Sequence, residues 1–241
     1  MLLWYPAADR SAPGNDAGPF LPGPMRGVLH TTEGGSIIGA VTAFKFHNSW
    51  PHFTVGQDGK VLQHLPLDRA ARSLENQSGG VETNRLGAIQ IEVVGFANSP
   101  VWPPAQVLAM ILLMRWIEAQ TGILPQAPAF GSKEQYGLKN PLEMSFVDWN
   151  HFNGWCGHQH VPENSHWDPG AIAIANLLPT EVHMPDAPPP NIDINSQPEF
   201  VAAGITALCD SNGVCTGYLI LGTDGGVFGF GPGARYFGRV S

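Results

Sequence analysis

The stretch Gly157-His158-Gln159-His160-Val161-Pro162-Glu163-Asn164-Ser165-His166-Trp167-Asp168-Pro169-Gly170 decides how the rest of the chain is read. It sets three imidazoles and the Asp168 carboxylate within eleven residues, with glycine or proline at both ends. Neutral imidazole nitrogen and carboxylate oxygen are ordinary zinc ligands, and a catalytic zinc takes three of them while keeping a fourth position open. The spacing does not fit one helix face, where ligands stand at i and i+4. It suits a loop that returns on itself, so that His158 and Asp168 converge from its two ends. His160, two residues from His158, is an alternative ligand. Cys156 lies two residues before His158, but a Cys-X-His step is poor geometry for two ligands on one metal, and a buried structural thiol is expected. A loop of this kind needs a further ligand from elsewhere in the chain.

Working upstream, Gly27-Val28-Leu29-His30-Thr31-Thr32 reads as a short buried strand that carries His30 at its polar tip. Ser36 to Asn48 places Ile37, Val41 and Phe44 at helical spacing. Residues 52–65 place two β-prone runs around Gln57-Asp58-Gly59, a hairpin signal. Residues 73–86 read as a loop. Ala88-Ile89-Gln90-Ile91-Glu92-Val93-Val94-Gly95 reads as a central strand with one carboxylate in its middle. A charge inside a buried strand costs several kcal/mol unless paired or functional, so Glu92 is a candidate site residue; the alternative is the exposed face of an edge strand. Pro104 to Thr121 is the strongest helix, with proline in its first turn and Gly122 just beyond its end. The order strand, helix, hairpin, strand, helix predicts an α/β fold with a mixed central β-sheet flanked by helices. Residues 1–26, rich in proline, glycine and aspartate, read as an extended lead-in lying on that core. Residues 123–156 read as irregular, with Trp149, His151 and Trp155 as packing residues, and Ala171 to Leu178 as a short closing helix. His52 reads as a core or supporting group; His47, His64, His151 and His183 follow no pattern.

Downstream, Met184 to Pro190 reads as a stiff polyproline segment. Three regions are therefore predicted: residues 1–180 as the main domain, 181–198 as a proline-rich linker, and 199–241 as a small β-type module. That module resembles one copy of a β-repeat found in tandem in secreted and phage-associated actinobacterial proteins, and one copy makes no propeller. Cys209 and Cys215 flank a turn and are either paired or two reduced thiols in an apolar layer. The formal net charge of -8 argues against nucleic-acid binding, which leaves a basic footprint. The run Val107 to Ile117 is too short to cross a membrane and contains Arg115. Met1 to Pro6 lacks a basic region and a long apolar core, so no signal peptide is expected. Such a chain is made in the cytoplasm and needs a separate route to any target outside the membrane.

Four segments in this order resemble the type 2 N-acetylmuramoyl-L-alanine amidases, which share a fold with peptidoglycan recognition proteins: Val-Leu-His-Thr-Thr (28–32), His-Phe-Thr-Val-Gly-Gln-Asp-Gly-Lys-Val (52–61), Ile-Gln-Ile-Glu-Val-Val-Gly (89–95) and Gly-His-Gln-His-Val-Pro with His-Trp-Asp-Pro-Gly (157–170). The resemblance spans roughly residues 24–178. It implies His30, His158 and Asp168 as ligands of Zn2+, Glu92 as the residue that activates water, and His166 as support for the oxyanion. Many members carry lysine where His166 stands, and a Trp-His-Ala-Gly-like segment where this chain has Ala70-Ala71-Arg72-Ser73. The implied reaction is hydrolysis of the bond between N-acetylmuramic acid and L-alanine in peptidoglycan, as by an endolysin released through a holin onto an actinobacterial wall. Two other classes remain beside it, a peptidoglycan-binding module without activity and a phage structural component; both are expected to lose ligands that this chain keeps.

Overall fold

Alternation along Ala88-Ile89-Gln90-Ile91-Glu92-Val93 builds the centre of the molecule. The computed structural model describes residues 3–137 and 139–178 in full, and four later strands as backbone. The sheet of the first part contains β1 (Arg26–Thr31), β2 (Phe53–Val55), β3 (Val61–Gln63), β4 (Ala88–Val93) and β5 (Trp155–Gly157) in the order β3-β2-β4-β1-β5. β1 runs parallel to both β4 and β5, β2 parallel to β4, and β2–β3 is an antiparallel hairpin. The fold is thus the expected mixed sheet with flanking helices.

Period-two alternation gives the sheet two chemically different faces. Leu29, Phe53, Val55, Ile89, Ile91 and Val93 form one buried apolar layer with Met110, Leu113, Met114 and Ile117. Those four belong to the long helix Pro104–Thr121, which starts on a proline and ends at Gly122 with φ 75°. Gln106 in its first turns donates to the carbonyls of Val55 and Val94 at 3.0 and 2.9 Å, which ties the helix to the ends of β2 and β4. Truncating any one of these core side chains to alanine costs about 2–5 kcal/mol. The opposite face carries Val28, Ala88 and Cys156 at one end of the strands, with Gln90 and then His30 and Glu92 further along. Parallel register sets His30 directly beside Glu92.

The shorter helix α1 (Ile37–His47) lies between β1 and β2 in sequence; the helix above is α2. Ser36 caps α1 by accepting from the Gly39 amide, and Asn48 closes it in the left-handed conformation at φ 53°. Residues 3–25 lie along the hairpin as an extended strap. The Asp9 amide donates to Val61 and its carbonyl accepts from the Gln63 amide, both at 2.9 Å. The strap therefore covers the edge of β3 and removes a pairing surface.

Three expectations change. Residues 123–156 are not wholly irregular: they contain α3 (Lys133–Tyr136), α4 (Phe146–His151) and the edge strand β5. Their lengths of four, six and three residues are too short to show a period. Gly154 precedes β5 and Gly157 ends it, which hides the strand, while Gly27 of β1 leaves the room that the Trp155 ring fills. Residues 171–178 form a single 3-10 turn, Ile174–Asn176, rather than a closing helix, although Leu177 and Leu178 are buried. His151 is exposed and bonds to the Val147 carbonyl, whereas Trp149 and Trp155 are fully buried as expected.

The chain divides into two compact units, Met1–Leu178 and Pro179–Ser241. In the second, β6 (Ala202–Cys209), β7 (Cys215–Gly222), β8 (Gly226–Phe230) and β9 (Tyr236–Arg239) form an antiparallel meander in chain order. Its register sets Cys209 opposite Cys215 in the backbone. The linker expected over 181–198 and His183 lie outside the described residues, as do the thiols of Cys209 and Cys215. Among the described residues no helix is long and apolar enough to cross a membrane.

Candidate metal centre

Strand ends and one loop deliver the polar side chains to the carboxyl-terminal edge of the sheet, where open α/β sheets hold their ligands. His30 stands one residue before the end of β1 and is 2% exposed. His158 follows β5 directly and opens a 3-10 turn, His158–His160. The loop then returns: the Gln159 amide donates to the Asp168 carbonyl at 3.0 Å, and the Gln159 side-chain amide donates to the Gly170 carbonyl at 3.0 Å. Gly170, at φ 83°, packs so closely on the Ala97 carbonyl that no side chain fits there. These contacts bring Asp168 opposite His158, the convergence expected from the loop's spacing.

The three side chains meet. His30 Nδ1 lies 3.2 Å from His158 Nδ1 and 3.3 Å from Asp168 Oδ2, and His158 Nδ1 lies 3.2 Å from Asp168 Oδ1. A tetrahedral zinc about 2.0–2.2 Å from nitrogen and oxygen ligands sets those ligands about 3.3–3.6 Å apart. The observed separations agree within a few tenths of an ångström. All three residues are buried, and together they form a group able to hold a metal ion. Burial brings the His30 imidazole down to about 4, against the pull of its Asp168 hydrogen bond, so it is neutral at neutral pH. Burial opposes ionisation of Asp168, but the His158 charge and hydrogen bonds from His158, His166 and His30 outweigh it and hold the carboxyl well below the usual range. Neutral imidazole and ionised carboxylate are the forms that ligate.

Glu92 is 8% exposed, and its Oε2 has no hydrogen-bond partner. Burial, then the charges of Asp168 and Glu33, push its carboxyl well above the usual range. It lies in a central strand, not on the exposed edge that was the alternative for it. His166 stacks on His158 with ring centroids 4.1 Å apart and planes at 9°, and its Nδ1 lies 3.5 Å from Asp168 Oδ1. Its side chain is half exposed, and the bond to Asp168 raises its pKa.

The other histidines are occupied elsewhere. His160 accepts from the Gly157 amide at Nδ1 and meets the Ala129 carbonyl at Nε2, so neither nitrogen is free for a metal. His52 accepts from the Gln90 amide and bonds to the Arg69 carbonyl. His64 bonds to Thr54 and to the Ala12 carbonyl of the strap. Cys156 is buried with its thiol pushed up to about 12 by burial, an inert packing group.

Two features escaped the sequence reading. Glu33, at φ 47°, accepts from the Ala97 amide at 2.8 Å and the Thr31 hydroxyl at 2.7 Å, bracing the tip of β1 against the loop after β4. A carboxylate three residues beyond His30, before Gly34-Gly35, was the available signal. The second is a cleft of about 430 Å³ lined by Glu75, Gln77, Glu143, His158, Glu163, Asn164, Ser165 and His166.

Two histidines and an aspartate gathered at the edge of a mixed sheet define an α/β domain with a group able to hold a metal ion. The chain belongs to the N-acetylmuramoyl-L-alanine amidase family, whose model matches residues 23–171. Similar solved structures include a selenomethionine derivative of AmpD, 18% identical, covering 73% of this chain and 97% of that one with a TM-score of 0.46. The amidase LysC from Clostridium intestinale is 14% identical over 68% of this chain and 93% of that one, with a TM-score of 0.42. The endolysin of Thermus scotoductus bacteriophage Ph2119 is 18% identical over 66% and 87%, with a TM-score of 0.40. No curated protein matches the chain.

Proposed function

We propose that this chain is a zinc-dependent amidase that hydrolyses the bond between the lactyl group of N-acetylmuramic acid and L-alanine in peptidoglycan. The observation that carries this reading is the convergence of His30, His158 and Asp168 at separations suited to a tetrahedral ion, beside a buried and unpartnered Glu92. Zinc held by His30, His158 and Asp168 would supply a Lewis acid to polarise the amide carbonyl and acidify water, and its charge would favour the ionised form of Glu92.

Glu92 takes a proton from the attacking water and passes it to the departing amine of L-alanine. A raised proton affinity favours the first half of that task. His166, held by Asp168 and stacked on His158, donates a hydrogen bond to the oxygen on which charge develops. Burial of His30, His158, Asp168 and Glu92 strengthens the interactions among them relative to water.

The biological setting proposed is that of an endolysin, made in the cytoplasm, released by a holin and acting on an actinobacterial wall. Residues 1–180 hold the chemistry, 181–198 serve as a proline-rich linker, and 199–241 form a separate small β-type module. Family membership and the cleft beside the metal centre support a peptidoglycan substrate.

Purified mycobacterial-type peptidoglycan is the test substrate, digested with and without a zinc chelator. New L-alanine amino termini, sensitive to the chelator and without new reducing sugars, are expected. Zinc-loaded protein that sediments with peptidoglycan yet releases no termini contradicts the enzyme and favours a binding module.

A further inference from the structure

Glu92 has two polar neighbours on its face of the sheet. Parallel register sets His30 of β1 on one side of it and Thr54 of β2 on the other. His30 turns Nδ1 to His158 and Asp168, and its Nε2 has no partner. Thr54, fully buried, is the neighbour that carries a hydroxyl proton. Yet Oε2 of Glu92 accepts no hydrogen bond.

The reason lies on the far side of Thr54. Its Oγ1 is 2.8 Å from His64 Nε2, and His64 Nδ1 is 2.6 Å from the Ala12 carbonyl of the strap. A carbonyl holds no proton, so Nδ1 must donate. Burial lowers the His64 pKa against the pull of its bond to Ala12, so at neutral pH the ring is neutral and Nε2 is bare. Nε2 can then only accept, and the Thr54 hydroxyl donates to it. The ring is held in this pose from other sides. It is 2% exposed, lies 5.3 Å from the Trp50 ring and 6.0 Å from that of Phe44, and its backbone amide donates to the His52 carbonyl at 2.8 Å.

We propose that His64 is a positioning residue for Glu92: locked by Ala12, it holds the Thr54 hydroxyl proton away from the carboxylate. The inference rests on the amidase reading, in which Glu92 is the base. A carboxylate that already accepts a hydrogen bond takes up a proton less readily. With the Thr54 proton committed to His64, Glu92 stays free to take the proton of the attacking water. The strap thus reaches the chemistry through two side chains, neither of which touches substrate.

The test is a double-mutant cycle on the zinc-loaded full chain, with a soluble N-acetylmuramoyl peptide that contains the scissile bond. His64→Phe keeps a ring beside Trp50 and Phe44 but removes the acceptor, which releases the Thr54 proton to Glu92. It should lower kcat about tenfold, a part of the ~10²–10⁴-fold that a positioned base contributes, with KM and the zinc content unchanged. In a Thr54→Val background the same replacement should change kcat by less than about twofold, because no hydroxyl remains to release. An equal loss in both backgrounds, or no loss in either, overturns the inference and leaves the amidase reading standing. A second measurement needs no activity. Nitrogen-15 spectra of the metal-free wild type at neutral pH should show His64 protonated at Nδ1 and bare at Nε2. A proton on Nε2 overturns the inference whatever the rates. A zinc-loaded wild type that cleaves nothing overturns the amidase reading and this inference together, so the two failures are told apart.

Discussion

Replacing Glu92 by glutamine should make the metal-free protein more stable and the zinc-loaded protein nearly inactive. Glu92 sits in the middle of the sheet with a carboxyl raised well above the usual range, first by burial and then by Asp168 and Glu33. In the unfolded chain it ionises near pH 4.3. Between that pH and its folded value the unfolded state has lost a proton that the folded state retains. Stability is therefore lost as pH rises through this window, by at most about 1.4 kcal/mol per pH unit. A neutral glutamine removes that penalty, and the cost of an unpaired buried polar group sets the scale at about 1–3 kcal/mol near pH 7. A domain of this size shifts by about 2–4 °C per kcal/mol. Thermal melts of both chelated proteins from pH 4 to pH 8 should show a difference that is negligible near pH 4 and grows upward. His30 and His52, both brought down to about 4 by burial, lose stability as pH falls from about 6.5, but equally in both proteins. The difference thus isolates Glu92. A variant that is less stable at every pH, or that hydrolyses peptidoglycan at the normal rate, would refute the assignment of this residue.

Three further outcomes are expected. Asp168→Ala should weaken zinc binding by more than about 100-fold, beyond the 10–100-fold cost of losing an outer partner, as read by competition with a chromogenic chelator. His160→Phe should keep one zinc per chain by metal analysis but lose about 1–3 kcal/mol in denaturant unfolding, since the Gly157 amide and the Ala129 carbonyl each lose a partner; loss of zinc would show that His160 ligates. Deleting residues 1–22 should lower the melting temperature and raise light scattering, because the edge of β3 loses its cover and His64 its bond to Ala12. An unchanged melt and scattering would leave the strap without that role.

The parts legible in the sequence are those whose cause is local. Proline at the start and Gly122 at the end bound α2 where expected, and strict alternation in Ala88–Val93 placed Glu92 on the face opposite the helix. The convergence of His158 and Asp168 was legible because glycine and proline around the loop left few ways to arrange it, while His30 as a third ligand came from the family resemblance. What stayed hidden depends on partners far along the chain. The choice between His158 and His160 turns on the Ala129 carbonyl, which no spacing reveals. β5 is three residues, the last of them glycine, and exists because β1 offers it an edge. The cleft is assembled from residues 75–77, 143 and 158–166, and Glu163 shapes it by bonding to Val81, Glu143 and Gln77 across long separations.

The most direct measurement is a zinc titration of the chelated full chain on purified peptidoglycan, scored by new L-alanine amino termini. Activity should start near zero, rise in proportion to added zinc and level off at one equivalent, and Asp168→Ala should stay flat over the same range. Full activity in the chelated chain, or a rise in Asp168→Ala equal to that of the wild type, would contradict a catalytic zinc held by His30, His158 and Asp168.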